Sequence, residues 1–248
     1  MSASSLIRSL LSFLTTIPVG MPDDAIDQSA THMYLFPAVG AFIGLLAGIP
    51  AYFFFLFLPR EIAGILSYGA LQAITGLQHL DGLLDLGDGM MTHGSPQRKI
   101  EAMRDTSLGV GGFFTGTFMI ILTIVLMSRL SIGTLFPSLI VCETISKLSM
   151  VLLAWLGKPA TPGMGSIFIE KMRGKTGRFL SSLIFTTLIT WAELAWIGVG
   201  SIVASFLATL VLLELATRSL KGITGDVLGA SNEISRAMTL MLIVGANR

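Results

Sequence analysis

The sequence predicts an all-α membrane protein, a single domain over residues 1–248 built as a polytopic bundle of about seven transmembrane helices. Three observations support this fold class. Hydrophobic residues make up 52% of the chain and charged residues only 12%, half of the roughly 25% usual in soluble domains. Long stretches without a charge recur along the chain. Basic residues concentrate in alternate loops, as expected when those loops face the cytoplasm.

The first apolar run, residues 6–19, predicts a short interfacial or re-entrant helix. Arg8 interrupts the run and Pro18 closes it, so it is too short to cross about 30 Å of hydrocarbon. A signal peptide is disfavoured, because no small-residue cleavage pattern follows.

Seven apolar segments predict the membrane spans. The first is the clearest, because it holds 26 residues without a charge. The fourth is unusual in carrying Glu143 and Lys147 four residues apart, which suits either a mutual ion pair or a role for Lys147 in substrate binding. The predicted spans are residues 33–58, 62–80, 111–127, 132–156, 179–199, 202–216 and 227–244.

Loop charge predicts the orientation. With seven spans, the basic loops around Arg98, Arg173 and Lys221 fall on one side, together with the acidic segment 81–88. This side is predicted to be cytoplasmic, in a multi-pass protein of the plasma (cell inner) membrane. The net charge of only +1 gives no reason to expect nucleic acid as a partner.

The acidic segment at the end of the second span is the strongest functional signal. Spacings of four and three residues place Asp81, Asp85 and Asp88 on one face of a helix, where like charges repel. A bound divalent cation would relieve that repulsion, and oxygen ligands favour magnesium, manganese or calcium over zinc. The alternative is that the three acids only mark the solvated end of a membrane helix.

Further charged residues share the predicted cytoplasmic face. Residues 97–105 predict a short amphipathic helix carrying Glu101 and Asp105 four residues apart, and Asp226 precedes the last span as a candidate helix cap. Carboxylates, a divalent metal and guanidinium groups are typical of phosphoryl or phosphodiester transfer. A transporter is the alternative, although it would more naturally place its acids at the bilayer midplane.

A set of ordered motifs resembles the cobalamin synthase family over nearly the whole chain. The acid block and the carboxyl-terminal block are the most specific parts. Departures from the family pattern occur at Leu84, Ser107, Lys147, Lys221 and Arg236. The matching blocks are Phe13-Leu14-Thr15-Thr16-Ile17-Pro18-Val19, Phe36-Pro37-Ala38-Val39-Gly40, Thr75-Gly76, His79-Leu80-Asp81-Gly82-Leu83 with Asp85 and Asp88-Gly89, Met103-Arg104-Asp105, Leu108-Gly109, and Thr224-Gly225-Asp226-Val227-Leu228-Gly229-Ala230 with Glu233.

The resemblance implies a magnesium-dependent transferase that joins adenosylcobinamide-GDP to α-ribazole or its 5′-phosphate and releases GMP. It implies that Asp81, Asp85 and Asp88 hold Mg²⁺, that Asp81 is also catalytic, and that Glu101 or Asp105 accepts the hydroxyl proton or holds a second metal. A lipid-directed CDP-alcohol phosphotransferase uses similar chemistry, but its Ala-Arg pair after the second acid is absent here. The candidate substrate-binding residues are His79, Arg98, Arg104, Lys147, Lys171, Arg173 and Asp226.

The implied partners are the corrinoid nucleotide, the ribazole substrate and membrane lipid. The sequence leaves open whether the protein forms a homo-oligomer.

Overall fold

The structure, a computed structural model, describes residues 2–246. Within that range the fold is entirely helical, apart from one isolated bridge between Pro159 and Ile223. The α-helices are α1 (Ala3–Leu14), α2 (Ala25–Thr31), α3 (Phe36–Phe57), α4 (Arg60–Thr75), α5 (Gln78–Met91), α6 (Pro96–Met103), α7 (Val110–Ser128), α8 (Leu135–Leu156), α9 (Met164–Met172), α10 (Thr176–Leu220) and α11 (Gly225–Ala246).

Five helical segments of the described chain are long and apolar enough to cross a membrane, which confirms the predicted polytopic helical bundle. The central helix is α8, which packs against α3, α10 and α11 and is buried along almost its whole length. The five segments are Met33–Phe57, Val110–Ser128, Ile132–Leu156, Thr176–Leu220 and Gly225–Ala246.

The longest of these helices, α10, folds back on itself. Ala195 has a φ of 45° and a ψ of −125°, which interrupts the helix. The ring centroids of Phe179 and Phe206 are 6.2 Å apart, whereas 27 residues of straight helix would separate them by about 40 Å. The α10 helix therefore supplies two antiparallel segments, as predicted. The reversal, at Ala195, comes earlier than the predicted break after residue 199, and Gly198 lies on the returning segment with its backbone against that of Thr190.

The second predicted span is not continuous. Helix α4 ends at Thr75, where Gly76 takes a left-handed conformation with a φ of 70°. Thr16 then donates its backbone N–H to the carbonyl of Ile74 at 2.8 Å, satisfying the exposed end of α4. The acids therefore lie on a separate helix, α5. At 16 residues α4 is only about 24 Å long, so a count of seven spans depends on this short helix.

Two shorter elements refine the predicted loops. The amphipathic helix predicted at residues 97–105 is present as α6, with Ser95 as its cap. The predicted basic loop around Arg173, between the fourth and fifth spans, contains a further helix, α9, which packs against α2 and α8. Both elements lie at the end of the bundle where α11 begins.

Candidate active site

A cavity of about 300 Å³ lies where α5, α6, α9 and α11 meet the end of α1. Its lining is aromatic and aliphatic, with a few polar groups among them. The residues that line it include Phe13, Phe36, Gln78, His79, Met103, Arg104, Met150, Thr161, Phe168, Thr224 and Asp226.

The start of α11 brings Asp226 to this cavity. Thr224 is the residue that caps the helix, because its Oγ1 accepts the backbone N–H of Val227 at 3.3 Å. The same hydroxyl donates to Oδ2 of Asp226 at 3.1 Å. Asp226 lies inside the first turn, so the prediction that it caps the helix is wrong: a threonine two residues earlier takes that position.

Glycines allow α5 and α11 to approach closely at the level of the acids. A Cβ atom at Gly82 would lie 2.9 Å from the Cα of Asp226, and one at Gly229 would lie 3.2 Å from the carbonyl oxygen of His79. Neither position could hold a side chain without a shift of the backbone. The carboxylate of Asp226 is thereby brought next to a helix about 140 residues earlier in the sequence.

The three aspartates of the acid block lie on α5, as the spacing predicted. Asp81 is exposed, whereas Asp85 and Asp88 are half-buried. Partial burial and the negative charges of Asp81, Asp226 and Asp88 raise the pKa of Asp85 to about 6. No ion pair found in residues 2–246 includes Asp81, Asp85 or Asp226. These acids therefore form a region of negative charge without a salt bridge among the described residues, with Arg104 as the nearby base that lines the same cavity as Asp226.

Asp88 has a local structural role that the sequence did not predict. Its Oδ2 accepts the backbone N–H of Gly109 at 2.8 Å, and its Oδ1 accepts that of Gly112 at 2.8 Å. Both bonds satisfy free amide groups at the start of α7. Asp88 therefore links α5 to α7.

The donor chemistry fits a hard divalent cation. The available ligands are carboxylate oxygens, and they carry more negative charge than the surrounding side chains neutralise. In the described part of the chain, however, no three acidic, histidine or cysteine side chains already converge as a metal site. Since Asp88 is engaged at α7, Asp81 and Asp85 on α5, with Asp226 facing them from α11, are the carboxylates available to a cation.

Comparison with known proteins identifies the family. Residues 6–244 match the family described as Cobalamin-5-phosphate synthase. The chain belongs to this family. Proteins named adenosylcobinamide-GDP ribazoletransferase are 34% identical in Methanosarcina barkeri (95% of this chain, 90% of the relative), 34% in Methanococcoides burtonii (97% and 92%) and 32% in Pyrococcus abyssi (96% and 97%). No solved structure matches the chain. The resemblance expected from the motifs is confirmed.

Around α6, this member of the cobalamin-5-phosphate synthase family brings one predicted residue to the cavity and leaves two outside its lining. Arg104 lines the cavity and donates to Oγ1 of Thr161 at 3.2 Å. Glu101 and Asp105 are exposed and do not line it. Because α6 ends at Met103, the expected helical pairing of Glu101 with Asp105 is wrong. Asp105 instead accepts the Ser107 N–H at 2.8 Å, which lowers its pKa.

Three other predicted substrate-binding residues also lie outside the cavity lining. Lys171 pairs with Asp27 at 2.5 Å and donates to Thr31 at 3.1 Å, which ties α9 to α2. Arg98 and Arg173 are exposed. The cavity itself draws its positive charge from Arg104.

Lys147 belongs to a buried ionic network between α8 and α11. Its Nζ is 3.4 Å from Glu143 and 2.7 Å from Oδ1 of Asn232, so the mutual ion pair considered from the sequence is present. Arg236 contacts Glu143 at 2.6 Å and also pairs with Glu233. The two acids and two bases balance, and none lines the cavity. The sequence signal for this network was the spacing of Glu233 and Arg236 on one helix.

His79 is the one predicted residue that is both buried and at the cavity. It is 3% exposed, and its Nδ1 has no hydrogen-bond partner among residues 2–246. Burial, followed by the charges of Lys147 and Arg236, lowers its pKa well below the usual value, so the imidazole is neutral. The sequence did not predict that Phe13, Phe36 and Phe168 would gather beside it, because they come from three separate helices.

Proposed function

We propose that this protein is an adenosylcobinamide-GDP ribazoletransferase, which joins its corrinoid substrate to α-ribazole or α-ribazole 5′-phosphate and releases GMP. The observation on which the proposal rests is the juxtaposition of carboxylates on α5 and α11, which form no salt bridge among the described residues, with a cavity of small-molecule size. Family membership and the names of the relatives support it.

Magnesium is the proposed cofactor. Asp81 and Asp85 would hold Mg²⁺, with Asp226 facing them from α11 and Asp88 fixing the position of α5 relative to α7. When bound, the ion would draw negative charge from the pyrophosphate of the donor. The acids would then no longer repel one another.

The reaction proposed is a substitution at phosphorus. The 3′-hydroxyl oxygen of the ribazole forms a bond to the phosphorus next to the aminopropanol arm, the bond from that phosphorus to the bridging oxygen breaks, and GMP leaves with the bond electrons. Asp226 lines the cavity and is better placed than Glu101 or Asp105 to accept the hydroxyl proton. Arg104, at the same cavity, would bind a phosphate oxygen.

The proposed location is the plasma (cell inner) membrane, with the cavity open to the cytoplasm. The basis is the surplus of Lys and Arg at the end of the bundle that carries the cavity, which includes Lys158, Arg173, Lys175 and Lys221. A thiol introduced at Lys175 in a Cys142→Ser background should resist an impermeant label applied to intact cells. One introduced at Glu193, at the opposite end of the first half of α10, should react. The reverse pattern would overturn the orientation.

The activity is tested with purified protein in detergent. GMP release should require adenosylcobinamide-GDP, an α-ribazole acceptor and Mg²⁺ together, and a chelator should abolish it. No release of GMP under these conditions would overturn the proposal. Release of CMP from a CDP-linked lipid donor would instead support a CDP-alcohol phosphotransferase, and transport by reconstituted protein without GMP release would support a transporter.

A further inference from the structure

We propose that the phenylalanine wall of the cavity, formed by Phe13, Phe36 and Phe168, binds the flat heteroaromatic base of the acceptor, and that neither the corrin ring nor the guanine of the donor occupies this place. The inference rests on the proposed function and deepens it by assigning one part of one substrate to one surface.

The size of the cavity excludes the corrinoid. At about 300 Å³, it stands at the lower end of the roughly 300–1,000 Å³ range of small-molecule sites. A corrin macrocycle with its amide side chains is several times larger than a base with an attached sugar. The corrinoid must therefore lie outside the cavity, while a nucleoside-sized ligand can enter it.

The three phenylalanines pack into one aromatic cluster, in which Phe13 is the partly exposed member. The rings of Phe13 and Phe168 are stacked with centroids 4.7 Å apart, and Phe36 lies 6.0 Å from the first and 5.9 Å from the second. Phe36 and Phe168 are almost completely buried, so they support the ring of Phe13, whose outer face is the one available to a ligand. Aromatic faces favour stacking of a flat heterocycle, and flexible methionines such as Met150 fill the space around it.

The hydrogen-bonding capacity of the lining suits a base with few polar atoms. Gln78 donates its amide to the carbonyl oxygen of Phe13 at 2.9 Å, and Thr161 and Thr224 are engaged with Arg104 and Asp226. The phenylalanine rings offer no hydrogen-bond partner, so the several donors and acceptors along one edge of a guanine would be desolvated wherever they face this surface. A benzimidazole-type base has one free ring nitrogen, which a single N–H donor of the lining, such as that of the neutral His79 imidazole, can satisfy.

The same cavity also contains the group that the acceptor must reach. Asp226 lines it and contacts α5 at Gly82, next to Asp81 and Asp85. A ligand whose flat ring lies on the phenylalanines and whose hydroxyl reaches Asp226 is a base joined to a sugar. This arrangement matches the nucleophilic substrate of the proposed reaction.

The experiment separates the two substrates by their KM values. Phe13→Leu keeps an apolar side chain of similar size but removes the partly exposed aromatic face, so KM for α-ribazole should rise at least tenfold, while KM for adenosylcobinamide-GDP changes less than twofold. Phe168→Leu, which removes the ring that Phe13 stacks on, should have the same effect if Phe13→Leu fails to fold. The matched control is Phe179→Leu, which removes a buried phenylalanine stacked on Trp155 at 4.2 Å, away from the cavity, and should change neither KM.

Three results would overturn the proposal: a rise in the donor KM alone, equal rises for both substrates, or no change in either. If the wild-type protein releases no GMP at all, the proposed function fails. Calorimetric measurement of α-ribazole binding to the purified protein then tests, independently of turnover, whether the phenylalanine wall binds the base. Binding that Phe168→Leu or Phe13→Leu weakens at least tenfold supports the site, and absent or unaltered binding overturns it.

Discussion

Two charged clusters, each of which includes residues of α11, differ in how their charge is balanced. The buried network contains Glu143, Lys147, Glu233 and Arg236, and its two acids and two bases are paired with one another. Two turns earlier on α11, Asp226 faces the acids of α5, and no basic side chain in residues 2–246 pairs with Asp226, Asp81 or Asp85.

The difference shows which charges stabilise the fold and which are available to a ligand. A buried ion pair with complete hydrogen bonding holds helices together and has no net charge left for a substrate. Acids that repel one another, and so raise one another's pKa, are stabilised when a cation binds between them. Substitutions in the buried network should therefore reduce stability, whereas substitutions among the acids of α5 and α11 should reduce activity.

The largest effect is expected from Arg236→Met in the buried network. The substitution leaves Glu143 and Glu233 without their guanidinium, so the free energy of unfolding should fall by about 3–5 kcal/mol. Denaturant unfolding in detergent measures it. The control is Arg218→Met, which breaks an exposed pair with Glu214 and should change the free energy by less than about 1 kcal/mol. Equal effects of the two substitutions would contradict the role given to the network.

Asp81→Asn should reduce activity without reducing stability, in contrast to Arg236→Met. Turnover should fall by roughly 100-fold or more, about 2.7 kcal/mol, because a metal-binding charge is lost. The metal-free variant should be as stable as the wild type or more stable, since repulsion with Asp85 is removed. Thermal unfolding should show a stabilisation by Mg²⁺ in the wild type and in an Asp23→Asn control, but not in Asp81→Asn. An Asp81→Asn enzyme with normal turnover would disprove the metal assignment.

Asp226→Asn tests the contribution of α11. Thr224 caps the helix, so the stability of the variant should be near that of the wild type. Turnover should fall about tenfold, which corresponds to about 1.4 kcal/mol of transition-state stabilisation. Steady-state kinetics and thermal unfolding of the same preparation separate the two effects. If turnover is unchanged, Asp226 takes no part in the reaction.

Asp88→Asn tests whether Asp88, which accepts N–H groups at the start of α7, contributes to stability in a way that Asp81 does not. One carboxylate oxygen is replaced by an NH₂ group that cannot accept the N–H of Gly109 or Gly112, so the free energy of unfolding should fall by about 1 kcal/mol. The comparison is with Asp81→Asn, which should show no such loss. Equal stability of the two variants in denaturant unfolding would argue against Asp88 as a cap of α7.

The smallest effect is a pH dependence of the metal-free protein. The pKa of Asp85 is about 6 in the folded state against 3.8 ordinarily, so the folded state binds this proton more tightly than the unfolded state. Its contribution to stability is therefore present at low pH and lost as the pH rises towards and through 6. Between pH 5 and pH 7, the melting temperature of the wild type should therefore fall relative to that of Asp85→Asn. A constant difference would contradict the raised pKa.

Several features of this protein depend only on residues close together in the chain, and these were predictable from the sequence. Apolar length predicted the membrane helices, and helical spacing placed Asp81, Asp85 and Asp88 on one helix. The motifs were sufficient to identify the family. These features were predictable because helix periodicity and hydrophobic length are local properties of the chain.

Contacts between residues far apart in the chain became known only from the folded structure. Thr16 ends α4 by bonding to the carbonyl of Ile74, and Arg236 pairs with Glu143, 93 residues away. The phenylalanine wall joins α1, α3 and α9, and glycines at α5 and α11 let Asp226 approach the acids. Whether a charge is neutralised or left for a ligand depends on such contacts, because electrostatic pairing acts over distance in space and not along the sequence.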